Sequence, residues 1–281
     1  MTKRNIHFLF ISLWAILLLA CSSGSSGPSG STDLGPTATH FDAPNTQNIF
    51  QLNDTGWMYC ADDVGVGSCD SNIHLPQDGM YGRDYQAQLA TLTKIGGGYA
   101  GFDFLKLDEN GNILVDQLTP FVISPWSCVY DNQTGLTWEI KSSLGSVSDW
   151  VSTYSWYEPD DGRNGGDAGT QNGGNCVGLS CDTYSYINII NAMNLCGYND
   201  WRLPTREELN SLINYSWVGS TLMHDIEYFP DIINDISGYW TATTVAGEPL
   251  KVWAYRGVYN PYLTTFDKNL DAHVRLVRSD Y

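Results

Sequence analysis

Apolar positions recur along the chain in three different rhythms. Behind Lys3 and Arg4, Ile6 to Leu19 is an almost unbroken apolar run. It is short for a ~30 Å hydrocarbon core but suits the apolar segment of a signal peptide. Residues 22–48 then lose all apolar periodicity and are rich in Ser, Gly, Pro and Thr, the composition of a flexible spacer. From residue 49 onward a rhythm of two prevails. Gly101 to Leu107 alternates crudely, Asp108 to Asn112 supplies turn residues, and Ile113 to Val115 resumes the apolar run, which predicts a hairpin with Asn-Gly in its loop. Val129 to Glu139 reads as strand, polar turn and strand.

A helical rhythm appears twice. Tyr186, Ile189, Ile190, Met193 and Leu195 predict an amphipathic helix over 183–195, with Gly197 as its C-terminal stop. After an extended Trp201-Arg202-Leu203, Pro204 marks a boundary. Thr205 and Glu208 then form a capping box for a second helix, whose buried stripe is Leu209, Leu212 and Ile213. Strands return at Gly238–Thr244, Leu250–Tyr255 and His273–Arg278. Strands, two helices and more strands predict an α+β domain with a mainly antiparallel sheet.

Charge and cysteine usage narrow the function. The 281 residues carry 14 Lys+Arg against 31 Asp+Glu, a net charge of −17. So acidic a chain has no electrostatic reason to bind nucleic acid. Leu18-Leu19-Ala20-Cys21 resembles the bacterial lipobox, which implies acylation of Cys21 and anchoring in outer-membrane lipid, since Ser22 rather than Asp follows the cysteine. The other six cysteines, in an exported chain, predict disulfides. Many pairings are open to them. Short loops favour Cys60–Cys69 and Cys176–Cys181, leaving Cys128–Cys196 as a long-range staple. Zinc is disfavoured because no C-x-x-C spacing occurs. The organisation expected is a signal peptide over 1–20, a lipidated tether over 21–48, a β-rich extension over 49–127 and one domain over 128–281.

Candidate chemistry concentrates in one loop. Residues 158–175 are long for a connection without regular structure, and such loops are commonly functional. Glu158, Asp160, Asp161 and Asp167 offer hard oxygen ligands, so Ca²⁺ is the candidate ion, although the spacing fits no defined calcium motif. No cofactor is required by any residue pattern. The competing reading is a solvated acidic loop closed by Cys176–Cys181. Trp150, Trp156 and Tyr157, with Tyr184, flank the loop and could stack on sugar faces. Asp108, Asn110 and Asn112 mimic a calcium loop, but Gly111 comes too early and Thr119 stands where an acidic residue should close it, so they read as a turn. His224 beside Asp225 and near Glu227 reads as a surface loop. No G-x-S-x-G elbow, H-E-x-x-H or phosphate loop occurs.

Four blocks carry a family resemblance: Asp131-x-x-Thr134-Gly135-Leu136-Thr137-Trp138-Glu139, Leu195 through Leu209 with its Trp201-Arg202-Leu203-Pro204-Thr205 core, Tyr239 to Thr243, and Val274 to Arg278. In this order they resemble the Lcl C-terminal domain family over roughly 128–279. The Arg-Leu-Pro-Thr-x-x-Glu core is also similar to that of formylglycine-generating domains, which implies a C-type-lectin-like fold. Trp201, Arg202, Pro204, Thr205 and Glu208 are expected to hold that fold together, with Asp200 or Glu207 as partner of Arg202. The family name implies a sulfated-glycan ligand, which the acidic charge opposes; a neutral glycan, a protein or a cationic surface suits this chain better. The expected function is a non-catalytic binding or adhesion module of an outer-membrane lipoprotein. The alternatives are an envelope enzyme using paired carboxylates of the acidic loop, and a purely structural envelope lipoprotein.

Overall fold

The computed structural model describes residues 52–69, 76–142, 145–178, 180–217, 224–231, 237–256 and 262–279, all within one compact unit. The proposed signal peptide, Cys21 and the tether lie outside the described residues. In chain order the strands are β1 (Tyr59–Ala61), β2 (Val66–Ser68), β3 (Phe104–Leu107), β4 (Cys128–Asp131), β5 (Leu136–Glu139) and β6 (Tyr154–Ser155). They continue with β7 (Tyr239–Val245), β8 (Glu248–Arg256), β9 (Tyr262–Asp267), β10 (Asp271–Ala272) and β11 (Val277–Ser279). The helices are α1 (Gly82–Gln88), α2 (Thr183–Met193) and α3 (Arg206–Asn210). The fold is α+β, and every paired strand is antiparallel. The two helices expected in the 128–281 region are α2 and α3.

A four-stranded sheet, in the order β11-β5-β4-β3, organises the core. Successive side chains of a strand point to opposite faces. Here both faces are covered, so β3, β4 and β5 are buried throughout. Leu105, Leu107, Tyr130 and Leu276 pack on one side with Trp156, Tyr186, Ile190, Trp201 and Trp240. Phe104, Val129, Trp138 and Val277 pack on the other with Leu209, Leu212, Ile213 and Phe229. The three apolar residues predicted for the second helix are all buried, but α3 ends at Asn210, so Leu212 and Ile213 are buried from the turn that follows it.

Three disulfides brace this arrangement: Cys60–Cys69, Cys128–Cys196 and Cys176–Cys181. The first and third are the pairs favoured by short loops, and the second is the long-range pair left over. Cys128–Cys196 ties β4 to the turn after α2.

Several expectations need correction. α2 stops at Asn194, which takes a left-handed conformation (φ 55°), and Gly197 instead ends the following 3-10 turn. Met193 is 60% exposed rather than buried, because the sheet contacts are made by Tyr186 and Ile190. The 101–115 hairpin is only partial. Ile113 makes a single bridge to Leu107, and β3 takes β4 as its main partner. The extension is not only β: it contains α1, whose Gly82-Arg83-Asp84-Tyr85 start carries no apolar stripe. Only the end of the 273–278 segment is strand, and β9 went unpredicted because Phe266 is its one buried side chain.

Candidate functional site

The Trp201–Thr205 block forms a wall built by its own hydrogen bonds. Trp201 N–H donates to Asn191 Oδ1 at 2.7 Å, Asn191 Nδ2 donates back to Trp201 O at 2.9 Å, and Trp201 Nε1 donates to Leu195 O at 3.0 Å. One α2 side chain therefore fixes the block against the helix. Thr205 caps α3 by accepting from Glu208 N–H at 3.1 Å, while Glu208 Oε2 accepts from Thr205 N–H at 2.7 Å. The same carboxylate receives Arg202 in a two-pronged pair, both prongs 2.7 Å. Neither expected partner of Arg202 is used. Asp200 accepts from Arg278 at 2.8 Å, and Glu207 pairs with Arg206. Glu208 wins because the cap already aims it back toward residue 202.

The acidic loop folds back on β6 but stays largely at the surface, with Arg163 64% and Asp160 52% exposed. Glu158 N–H donates to Ala168 O and Thr170 N–H to Trp156 O, each at 2.9 Å, so the loop forms an irregular hairpin. Gly169 sits at φ +81° where a Cβ would collide with the Trp156 carbonyl. The carboxylates are spent locally. Arg163 binds Glu158 at 3.2 Å and Asp160 at 3.0 Å. Asp161 accepts from Asn164 Nδ2 at 3.1 Å, and Asp167 from Gly169 N–H at 2.9 Å. Among the described residues no group of three His, Cys, Asp or Glu side chains could hold a metal ion. The calcium-like 108–112 segment is a turn as expected: Asp108 Oδ1 accepts from the N–H groups of Asn110 and Asn112 at 2.8 and 2.9 Å.

These elements enclose a cleft of about 430 Å³. Trp156, Tyr157, Glu158 and Arg163 come from the end of β6 and the loop; Thr183, Tyr184, Ile187, Asn188 and Asn191 from α2; Trp201 to Leu203 and Thr205 from the Trp201–Thr205 wall. Tyr157 and Tyr184 meet edge to face, with ring centroids 6.0 Å apart. Thr183 locks this corner by accepting from Tyr157 N–H and donating to Tyr157 O, both at 2.9 Å. Trp156 is buried and donates Nε1 to Thr241 O at 3.0 Å, so it is floor rather than stacking surface. Trp150 is half-exposed and does not line the cleft. Sequence reasoning missed Asn188, Asn191 and Arg163. A second stripe on α2, Tyr184, Ile187, Asn188 and Asn191, repeats at helical spacing and was the available signal.

His224 is also corrected. It is fully buried, packed on Phe229 and Tyr239. Burial, with the nearby Arg275 guanidinium, holds its imidazole well below the ordinary range and therefore neutral. Asp225 accepts from Tyr99 and Glu227 N–H groups instead of pairing with it.

A disulfide-braced α+β domain with an aromatic-walled cleft is thus what the fold and site define. The chain belongs to the Lcl C-terminal domain family, which matches it over residues 127–278. Membership suggests a secreted or surface protein. No curated protein and no solved structure matches the chain, so the C-type-lectin-like architecture rests on sequence resemblance alone. Among the described residues no helix is long and apolar enough to cross a membrane.

Proposed function

We propose that the chain is a non-catalytic binding module, held at the outer membrane through acylated Cys21, and that its 430 Å³ cleft takes a neutral glycan. The observation that carries this reading is the Tyr157–Tyr184 corner set beside arginines that are already neutralised. Aromatic rings offer apolar faces to sugar C–H groups, and the exposed amide of Asn188 offers both a donor and an acceptor to hydroxyls. Sulfates would need uncommitted cations. Arg163 is engaged by Glu158 and Asp160, Arg202 by Glu208, and the whole chain carries −17. The cleft volume lies within the range of about 300–1,000 Å³ usual for small-ligand sites.

Calorimetric titration with a panel of neutral oligosaccharides, and with heparin as the sulfated comparison, tests the reading. Binding to a neutral member is expected, weakened about fivefold or more by Tyr184→Ala, in line with roughly 1 kcal/mol for an aromatic contact. Tighter binding of heparin than of every neutral glycan, or no glycan heat at all, would overturn it.

A further inference from the structure

A second cleft, of about 710 Å³, lies between the 109–127 segment, the end of β5 and the C-terminal turn of α2. Its walls include Phe121, Trp126, Ile140 and Met193, and its polar lining includes Lys141 and Ser148. Phe121 meets Trp126 edge-on at 4.8 Å. Met193, left 60% exposed although its helical position predicts burial, borders the opening. Its size and partly apolar lining lie within the range usual for small-ligand sites.

The cluster centres on one amine. Lys141 is 6% exposed, and its backbone is fixed by donation from its N–H to Asp231 Oδ2 at 2.6 Å. Its Nζ donates to Glu139 Oε1 at 3.1 Å and to Tyr186 Oη at 2.6 Å. Glu139 is more heavily supplied: Ser148 Oγ donates to it at 2.9 Å, Leu276 N–H at 3.0 Å, and Tyr186 Oη also donates. The carboxylate thus keeps several donors when the lysine changes its bonding, whereas among the described residues the ammonium has two hydrogen-bond acceptors and the Tyr186 ring face, its centroid 3.9 Å away. Burial lowers the Lys141 ammonium below the ordinary lysine range, with Glu139 opposing the shift. Desolvated lysines of this kind are the nitrogen nucleophiles of Schiff-base chemistry.

We propose that the second cleft is a carbonyl-capture site, in which an aldehyde or ketone with an apolar body enters past Met193 and Lys141 Nζ attacks its carbonyl carbon to form an imine. Lys141 loses a proton to solvent, because burial of Glu139 is outweighed by Lys141 and the other donors on it, which hold that carboxyl below its ordinary range. The free amine forms the C–N bond as the carbonyl π bond breaks, and a proton moves from nitrogen to oxygen to give the carbinolamine. A proton from solvent returns to that hydroxyl, the C–O bond breaks, and water leaves, giving a protonated imine beside the Glu139 carboxylate. A carboxylate ligand is disfavoured, because Glu139 is already at the site, Glu109 lines the cleft, and the chain is strongly acidic.

The test treats the full chain with benzaldehyde and cyanoborohydride near neutral pH, followed by intact mass and peptide mapping. Hydride reduction fixes any imine as a benzyl amine. Lys141 is expected to be labelled roughly tenfold faster than the half-exposed Lys251, as activation by desolvation requires. Lys141→Arg should remove that adduct. Because this variant could disturb the buried cluster, Met193→Trp at the exposed opening serves as the second arm: it should slow labelling of Lys141 and leave Lys251 unchanged. Labelling of Lys141 no faster than Lys251, or indifference of its labelling to Met193→Trp, would overturn the proposal.

Discussion

Lys268 reaches from the turn after β9 into the acidic loop and donates its ammonium to the backbone carbonyl of Asn164 at 2.6 Å, with the Asp167 carbonyl as a second acceptor. The side chain is 2% exposed, and its ammonium lies 4.4 Å from the centroid of the buried Trp156 ring. The loop's internal cation is therefore a lysine, and what it binds are main-chain oxygens rather than carboxylates.

Lys268→Met should consequently loosen the whole 158–175 excursion. It strands two carbonyl acceptors in a dry setting, at a cost of about 2–4 kcal/mol in total. Urea unfolding measures that cost. Hydrogen exchange should rise first at the N–H groups of Glu158 and Thr170, whose partners are Ala168 and Trp156. An unchanged midpoint would show that the loop is held by its turns and the disulfide alone.

Glu208 carries two duties, so its removal should cost more than that of its neighbour. Glu208→Ala deletes the reciprocal half of the cap and the Arg202 pair. Arg202 is 41% exposed and its pair is screened, so the loss is about 1–2 kcal/mol, mostly from the cap. Glu207→Ala removes only an exposed contact to Arg206 and should stay within about 0.5 kcal/mol. Equal losses in the two variants would refute the assignment of Glu208 as the partner.

Two buried aspartates predict an unusual pH profile. Burial, aided by the neighbouring Asp54, pushes the Asp84 carboxyl up to about 6, and burial does the same to Asp131. Both ordinarily titrate at 3.8. The folded chain then holds protons that the unfolded chain has released, so this contribution is complete below about 3.8 and is lost as pH rises through about 6. Asp84→Asn mimics the protonated form, and the asparagine oxygen can still accept from Gly101 N–H. It should raise stability at pH 7.5 by roughly 1–3 kcal/mol and change little at pH 4. Denaturant curves at the two pH values decide the point.

The two disulfides of the family region should differ in worth. Cys128–Cys196 closes a separation of 68 residues and Cys176–Cys181 one of 5. In the chain-entropy account the first is worth about 4 kcal/mol and the second about 2. Replacing each pair by serines and measuring unfolding should reproduce that order; the reverse order would count against an unfolded-state origin.

Patterns of near neighbours were the most legible part of the sequence. The capping box, the start of α3 and the β4–turn–β5 unit each depend on residues within one or two turns of chain. What it concealed depends on distant company. Arg202 has acidic neighbours at Asp200 and Glu207, yet geometry sends it to Glu208 and sends Asp200 to Arg278. His224 sits beside Asp225 and near Glu227 in sequence but is sealed by Phe229 and Tyr239. Tyr157 and Trp156 are consecutive and only one can face the cleft freely; strand alternation gave two faces without saying which was the floor. Lys268 had no sequence signal linking it to Asn164, a hundred residues away.

The pairing of β3 with β4 reaches past the limit of the family. Residues 104–107 precede the matched region, yet Leu105 and Lys106 lie opposite Tyr130 and Val129 in full register. A chain beginning at residue 127 would turn β4 into a bare edge, offering its main-chain N–H and C=O groups to any passing strand. The segment before the family domain thereby covers a strand edge that the matched region by itself would leave open.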